Sequence, residues 1–342
     1  MVFTGLIFGF LFGFLLKRSH YCIAGGLRDV YLQKNITGLL AVFLIIFPQS
    51  LILFILLQMG VLPKPEYPDY SLIAMIVGSI IFGAGTVFAS GCMSGTLVKV
   101  GDGRFTGLIT LLSFALFVVS SNNGLLANLT SPLQNVSIKS DSFVANLSFQ
   151  PLLLIVPILV IVLGISVYYL KHKYQNVRLP SQFDGIRYWL FEKEMPTLIA
   201  AFLIGITAGF AFLFNFWSHS FGGFAITGPV SSWLSLIIGG GVQISWGMYF
   251  VTGIILGSLI CSLGKNEFRF QGSDGKTLLK AFVGGALMGL GASLAKGCLV
   301  SNGLVYTAML SVQGWIGLMF IILGNWITAF FMYKLPLLRI KS

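Results

Sequence analysis

The hydrophobic positions of this 342-residue chain form long apolar runs separated by short polar segments. A bilayer core about 30 Å thick takes roughly 20 residues of helix to cross, so runs of this kind predict membrane-spanning helices. The pattern predicts about nine of them. They lie near residues 4–16, 36–59, 71–89, 106–121, 148–170, 195–214, 232–261, 278–295 and 313–333.

Two of the predicted spans, 4–16 and 106–121, are short for a full crossing, and each borders a Gly-containing segment, 17–30 or 90–105. Short, Gly-interrupted runs at matching places in two halves of a chain are typical of discontinuous helices around a site at the membrane midplane. We therefore expect short re-entrant or discontinuous helices in addition to the nine spans.

The composition excludes a soluble globular protein. Hydrophobic residues make up 56% of the chain and charged residues 9%, whereas about a quarter of the residues of an ordinary globular protein are charged. The fold class predicted is an all-α polytopic membrane protein surrounded by lipid. The first apolar run is interpreted as a true span, because Lys17 and Arg18 follow it and no cleavage site for a signal peptide is present.

The net charge of +11 does not indicate a nucleic-acid partner, because the Lys and Arg residues are spread thinly through short loops. Cytoplasmic loops of membrane proteins carry an excess of these residues. An orientation with the N-terminus outside and the C-terminus inside the cell places 18 of the 21 on the cytoplasmic side. The cytoplasmic segments are then 17–35, 98–106, 171–194, 262–280 and 334–342.

One sequence motif, Ala-x-Gly-Cys, occurs twice, at Ala89-Ser90-Gly91-Cys92 and at Ala295-Lys296-Gly297-Cys298. The two copies are 206 residues apart, and each follows a Gly-x-Gly pair. Glycine pairs alone are common on helix-packing surfaces, but they do not explain the recurrence of Gly-Cys at one offset. We predict a duplication. In the predicted orientation the two copies run in opposite directions, so residues 1–147 and 195–342 form inverted pseudo-symmetric repeats, joined by a linking helix and cytoplasmic loop at 148–194.

The four cysteines form no CxxC pair and no spacing typical of a metal site, and no cofactor is predicted. Cys261 ends an apolar span without a glycine motif, so we interpret it as a small buried hydrophobic residue. Cys22, Cys92 and Cys298 each lie within a few residues of a glycine where the apolar pattern breaks. Glycine lets backbone amides turn toward a ligand and lets the ligand approach closely. These three thiols are the candidate site.

An anion is the ligand that such a site favours, because half-helix N-termini and exposed amides present partial positive charge. A full Lys or Arg charge at the bilayer centre costs about 3 kcal/mol or more, so we expect amides near Gly91 and Gly297 and neutral donors instead. An ordinary thiol, with a pKa of about 8.5, is mostly neutral. Its S–H group is a weak, polarisable donor suited to another sulfur. The residues predict an anion that carries sulfur.

Three further residues are candidates for the same site. Ser94 and Thr227 lie in Gly-rich stretches and would add hydroxyl donors. Lys296 would attract anions at the outer mouth, although a lysine at the end of a span also commonly extends to the membrane interface.

Four segments of the chain resemble the YeeE/YedE family of bacterial membrane proteins, and within it the thiosulfate permeases. The resemblance implies an hourglass-shaped protein of the cell inner membrane with no enzymatic activity, which takes up thiosulfate. It also implies that Cys22, Cys92 and Cys298 relay the ion by S–H to sulfur hydrogen bonds, and that a small cytosolic sulfurtransferase is the partner. The segments are RSHYCIAGGLRDVYL (18–32), FGAGTVFASGCMSGTL (82–97), SHSFGGFAITGPV (218–230) and GALMGLGASLAKGCLVSNG (285–303).

Alternatives to thiosulfate transport remain open at this point. A membrane thiol oxidoreductase needs a nucleophilic thiol beside a resolving thiol, and the absence of CxxC disfavours it. A transporter of a soft metal would use thiolates, but the ten Met residues are scattered along the chain. Other branches of the family are associated with selenium, so another sulfur or selenium species is a further alternative.

Overall fold

The computed structural model describes residues 2–63, 65, 69–124, 126–134, 151–173, 191, 195–218 and 222–336. Most of the predicted cytoplasmic loop 171–194 and the last six residues of the chain lie outside this part. Within it the secondary structure is helical, with no strand beyond an isolated bridge between Arg104 and Gln271.

The helices in chain order are α1 Thr4–Arg18, α2 Ile23–Gln33, α3 Thr37–Gln58, α4 Leu72–Phe88, α5 Met93–Gly101, α6 Phe105–Asn123, α7 Ala127–Gln134, α8 Pro151–Lys173, α9 Thr197–Trp217, α10 Thr227–Ile237, α11 Trp246–Gly264, α12 Gly275–Leu294 and α13 Val312–Ala329. Two π-helical segments complete the set, one before α13 and one after it. They are Ser301–Tyr306 and Phe330–Lys334.

Nine helical segments in the described part of the chain are long and apolar enough to cross a membrane. They correspond to the nine runs predicted from the sequence, and the protein is an all-α polytopic membrane protein. The segments are Thr4–Gln33, Thr37–Gln58, Leu72–Gly101, Phe105–Asn122, Pro151–His172, Thr197–Trp217, Trp246–Gly264, Gly275–Leu294 and Val312–Lys334.

The predicted single span 232–261 is wrong in its boundaries. The structure divides this region into α10 and α11, with residues 238–245 between them. Three consecutive glycines, Gly239 to Gly241, follow α10, and Gly239 has the left-handed φ of +92°. Glycine is a poor helix former because it loses the most backbone entropy in a helix, so this run ends α10 despite its apolar flanks.

Glycines set the close packing of the long helices. Gly9 and Gly13 of α1 face the backbone of Phe250 and Ile254 of α11, so closely that a Cβ atom at either glycine would collide with a carbonyl oxygen. The contact positions advance together along the two helices, which are therefore parallel. Such close approach of backbones is typical of small residues in membrane-helix interfaces.

Contacts between helices recur in matched pairs across the two predicted halves. The pair α1 with α11 has a counterpart in α9 with α3, and the pair α4 with α13 has a counterpart in α12 with α6, while α4 packs antiparallel against α12. A two-fold relation that exchanges the halves and inverts their direction would produce this set of pairs. The inverted repeats 1–147 and 195–342 stay a prediction, which these pairs support.

Candidate functional site

The repeated Ala-x-Gly-Cys motif has the same backbone structure in both copies. The N–H of Gly91 donates to the Thr86 carbonyl at 2.8 Å, and the N–H of Gly297 donates to the Ala292 carbonyl at 2.9 Å. This backward hydrogen bond from a residue beyond the helix end is the capping arrangement of a helix C-terminus. The amides of these two glycines are therefore engaged in helix caps, and a ligand would have to use the amides that follow them.

The residue before each of these glycines is left-handed. Ser90 has a φ of +54° and Lys296 a φ of +49°. Both side chains are exposed although the neighbouring thiols are buried. The two helices α4 and α12 thus end in the same turn, 206 residues apart, and a new short helical segment starts after each turn.

Cys22 and Cys92 begin two of the short helices and lie against each other. Cys22 is the N-cap of α2, and the N–H of Gly25 donates to its Sγ at 3.4 Å. Cys92 is the N-cap of α5, and its Sγ lies 3.1 Å from the Ser94 hydroxyl oxygen. The Cys22 Sγ lies 3.5 Å and 3.4 Å from the positions that Cβ atoms of Gly91 and Gly95 would occupy, on either side of Cys92 in the chain, so the two thiols are close together. We call this pair the first thiol layer.

Two glycines border the Cys22 sulfur of the first thiol layer at ordinary contact distance. A Cβ atom at Gly91 would lie 3.5 Å from the Cys22 Sγ, and one at Gly95 would lie 3.4 Å from it. The backbone of both residues therefore lies beside the thiol. The approach of a ligand to the glycines, which the sequence analysis predicted, stays a prediction.

Cys298 stands apart from this pair and forms what we call the second thiol layer. It is buried, and its carbonyl accepts the Asn302 N–H at 2.8 Å, which places it at the start of the segment that contains Ser301–Tyr306. Its Sγ lies 3.6 Å from the Ser301 hydroxyl oxygen. The N-cap residue of α10 is Ile226, whereas that of α2 is Cys22.

The two layers lie at different levels along α4. The turn before Cys92 contacts α12 through Ala89 and Gly284, and the turn before Cys298 contacts α4 through Ala295 and Gly78. Gly78 and Ala89 are separated by about 16 Å at the rise of a helix. The two layers are therefore separate positions in the structure.

A cavity of about 540 Å³ opens beside the second thiol layer. It is lined by Lys296, Gly297, Ser301, Thr227 and Ser293, among others. The hydroxyl oxygens of Thr227 and Ser293 are buried and have no hydrogen-bond partner in the described part of the chain. The Lys296 ammonium donates to the Asp69 carbonyl at 2.8 Å. The cavity lining therefore presents the hydroxyl groups of Thr227 and Ser293 and the Lys296 cation to an anion.

The predicted site residues thus fall into two groups. Cys22, Cys92, Ser94 and Gly91 lie together at the first thiol layer, whereas Cys298, Gly297, Thr227 and Lys296 lie at or near the cavity beside the second layer. Cys261 is fully buried in α11, where it was expected to be a small hydrophobic residue.

Lys99 is a residue that the sequence analysis counted only as a loop charge. Its ammonium donates to the Ala89 carbonyl at 2.9 Å and to the Ser90 carbonyl at 3.0 Å. It lies 3.6 Å from the position that a Cβ atom of Gly91 would occupy. The signal for this placement is the spacing of seven residues from Cys92, which is two helical turns and one face of a helix.

A buried ion cluster occupies the end of the bundle at which α1, α5 and α11 terminate. The Lys17 ammonium lies 3.0 Å from the Asp102 carboxylate and 2.9 Å from the Glu267 carboxylate. Burial opposes ionisation of Glu267, but the hydrogen bond and the charge of Lys17 outweigh burial and lower the pKa of that carboxyl. A cavity of about 280 Å³ beside the cluster is lined in addition by Arg104 and Arg269.

Broken helices, two thiol layers and a polar cavity define a polytopic transporter. Among the described residues, no group of three or more His, Cys, Asp or Glu side chains could hold a metal ion. Comparison with known proteins agrees. A family model described as sulphur transport matches residues 18–327. The chain belongs to this family, the YeeE/YedE family, and the resemblance inferred from the sequence is confirmed.

Individual relatives cover nearly the whole chain. The chain is 37% identical over 340 residues to the thiosulfate transporter TsuA of Escherichia coli K12, which covers 98% of this chain and 96% of that protein. It is 31% identical over 358 residues to the protein of the same name from Spirochaeta thermophila, with 98% and 100% covered. The probable transporter YedE of Salmonella typhimurium is 26% identical over 99 residues, 29% of this chain and 24% of that protein.

Proposed function

We propose that this protein takes up thiosulfate across the bacterial inner membrane, along a path on which the ion meets the two thiol layers in turn. Relatives that match over nearly their whole length are named thiosulfate transporters, which supports the substrate. The observation that carries the proposal is the meeting of Cys22 and Cys92 at the N-caps of two short helices.

The N-termini of these helices supply the attraction for the charged oxygens of the ion. The first amides of a helix have no intrahelical acceptor, and the aligned peptide dipoles place about half a positive charge there. Both α2 and α5 begin at the first thiol layer, so two such ends converge on one place. The thiols add S–H donors for the terminal sulfur, which is the group that distinguishes thiosulfate from sulfate.

The separation of the layers gives the path an order. Thiosulfate is a tetrahedral ion only a few ångströms across, so it cannot contact layers about 16 Å apart at the same time. It would enter the cavity beside Lys296 and Thr227, pass Cys298, and then bind at Cys22 and Cys92. No covalent step is needed, because each thiol releases the ion when a hydrogen bond breaks.

Uptake of radiolabelled thiosulfate into proteoliposomes that contain this chain alone tests the function. We expect saturable uptake, reduced by excess unlabelled thiosulfate and much less by the same concentration of sulfate, because sulfate has no terminal sulfur to accept a thiol hydrogen. Liposomes without protein provide the background. Uptake at this background, from protein that elutes as a single species in detergent, would contradict the proposed function.

The contact between Cys22 and Cys92 also favours one alternative, a membrane thiol oxidoreductase, because a resolving thiol need not lie in a CxxC motif when the fold supplies it. The two functions differ in what they require. An oxidoreductase needs an electron acceptor, whereas the proposed transporter works in liposomes that contain no quinone and with a reductant present throughout.

The proposed path requires a defined orientation and inverted halves, with the N-terminus periplasmic and the C-terminus cytoplasmic. The ion cluster of Lys17 would then lie at the cytoplasmic end, in agreement with the asymmetry of the loop charges. We expect a periplasmically active reporter to function on the N-terminus and a cytoplasmically active one on the C-terminus. Both termini on one side of the membrane would contradict the nine-span orientation.

A small cytosolic sulfurtransferase stays the predicted partner. Arg104 and Arg269 line the cavity at the proposed cytoplasmic end, and cationic side chains there suit the release of an anion to such a protein.

A further inference from the structure

The Ala89 and Ala295 carbonyls occupy the same position in the two repeated segments but accept hydrogen bonds from different donors. The Ala89 carbonyl accepts from the Lys99 ammonium at 2.9 Å. The Ala295 carbonyl accepts from the Asn302 side-chain amide at 3.1 Å. One helix end is therefore capped by a charged group and the other by a neutral group.

This difference changes the field that an anion meets. The carbonyls at a helix C-terminus carry about half a negative charge, which repels anions within the last turn of the helix. The Asn302 side chain donates a hydrogen bond to a carbonyl at the end of α12 but adds no charge there. The Lys99 ammonium donates to a carbonyl at the end of α4 and adds a full positive charge. The carbonyl at the end of α4 thus lies against a positive charge, whereas Lys296, the cation near the second layer, is exposed and donates to the Asp69 carbonyl instead.

The Lys99 ammonium lies close enough to the first thiol layer to act on a bound ion. The Lys99 Nζ and the Cys22 Sγ lie 3.6 Å and 3.5 Å from the same point, the position of an absent Cβ atom at Gly91. Both atoms border one gap. An ammonium has three N–H donors, and the Ala89 and Ser90 carbonyls take two of them, which leaves the third for an anion in this gap.

A lysine near the end of a span often extends toward the membrane interface. The Lys99 side chain instead turns to carbonyls nine and ten residues earlier in the chain, at the level where α5 begins. Ionisable residues inside membrane-spanning segments are costly and commonly mark ion pathways. The corresponding position in the second half, 206 residues later, is the apolar Val305.

We propose that Lys99 holds the dianion at the first thiol layer and makes this layer the tighter of the two binding positions, so that the ion is drawn from Cys298 toward Cys22 and Cys92. The inference rests on the proposed transport of thiosulfate and assigns to Lys99 the retention of that ion. The role requires a positive charge, not only a hydrogen-bond donor for the end of α4.

Three substitutions separate charge from capping. Lys99→Met removes both, Lys99→Gln removes the charge and keeps an amide donor of the kind that Asn302 provides, and Lys99→Arg keeps the charge. Lys280→Met is the matched control, because Lys280 is an exposed lysine of α12 that belongs to neither thiol layer. The readout is the thiosulfate concentration that halves the alkylation rate of Cys22 in the purified full-length protein, followed by mass spectrometry, together with the KM of uptake.

We expect both neutral variants to raise the half-protecting concentration and the KM about tenfold, which corresponds to the loss of one charge-assisted hydrogen bond. Lys99→Arg should restore most of the affinity, and the control should match the wild type. If Lys99→Gln keeps the wild-type affinity while Lys99→Met loses it, Lys99 acts only as a cap and the inference is overturned. Wild-type values in both neutral variants would overturn it as well. A wild-type protein that shows neither protection nor uptake would overturn the proposed function itself, and this inference with it.

Discussion

Alanine at Cys92 is expected to lower thiosulfate uptake in proteoliposomes at least tenfold, with similar losses for alanine at Cys22 and Cys298. Each substitution removes an S–H donor, from a buried position at Cys92 and Cys298 and from a partly buried one at Cys22. Hydrogen bonds to a charged partner are the strong ones, and the loss of one corresponds to a tenfold or larger change in rate or affinity. The initial rate of labelled uptake is the measurement.

Cys261→Ala is the matched control, because it removes a thiol of the same size that is fully buried in α11, away from the two layers. It should transport like the wild type. Serine at Cys92 or Cys298 adds a second comparison, since its hydroxyl donates but is a harder group than a thiol. We expect slow uptake in both serine variants and a gain of sulfate relative to thiosulfate as competitor. Equal tolerance of alanine at all four cysteines would refute the relay.

The sequence was sufficient for the spans and the repeated turn because both depend on local patterns. Apolar runs of membrane length give the positions of the helices directly. The recurrence of Gly-Cys predicted that residues near Cys92 and Cys298 share one local structure, and the matching caps of Gly91 and Gly297 agree. The prediction of a single span at 232–261 failed because the hydrophobicity of this run is nearly continuous. The break between α10 and α11 depends on the glycines that begin at Gly239.

Other parts of the site depend on the packing of segments that lie far apart in the chain. The contact of Cys22 with Cys92 joins segments 70 residues apart, and no local pattern encodes it. The same holds for Lys17 and Asp102, which are 85 residues apart. Lys99 was missed for a different reason. Its position near a span end is typical of an interface lysine. The seven-residue spacing from Cys92 indicates a shared helix face but not the contact of the Lys99 ammonium with the end of α4.

The engagement of the Gly91 and Gly297 amides changes how those glycines contribute to the site. Each N–H completes the cap of a preceding helix, so the donors available to an ion are those at the starts of the following segments. The surroundings of the two glycines differ, because Gly91 borders the Cys22 sulfur whereas the space beside Gly297 is filled by the Asn302 side chain. The repeated segment therefore encodes one helix end followed by one thiol.

The ion cluster at the proposed cytoplasmic end yields the second large effect. Lys17→Met is expected to destabilise the protein by about 3–5 kcal/mol, the cost of breaking a buried ion pair from one side. The Asp102 carboxylate is only 8% exposed and has its other oxygen without a partner in the described part of the chain. Without Lys17 it would remain as a buried, unpaired charge. Thermal unfolding of the purified protein in detergent, followed by Trp fluorescence, measures the loss.

Two further variants establish whether the burial of Asp102 is the cause. The Glu267 side chain is 41% exposed, so Glu267→Gln should cost less than about 1 kcal/mol of stability.

Because Lys17 lowers the pKa of Glu267, the stability that this carboxylate contributes is present above its unfolded pKa and is lost as the pH falls through the lowered value. The double variant Lys17→Met with Asp102→Leu removes both buried charges and should recover most of the melting temperature. If Lys17→Met melts like the wild type, or if the double variant is no more stable than Lys17→Met, the cluster does not stabilise this end of the bundle through the pairing of Asp102.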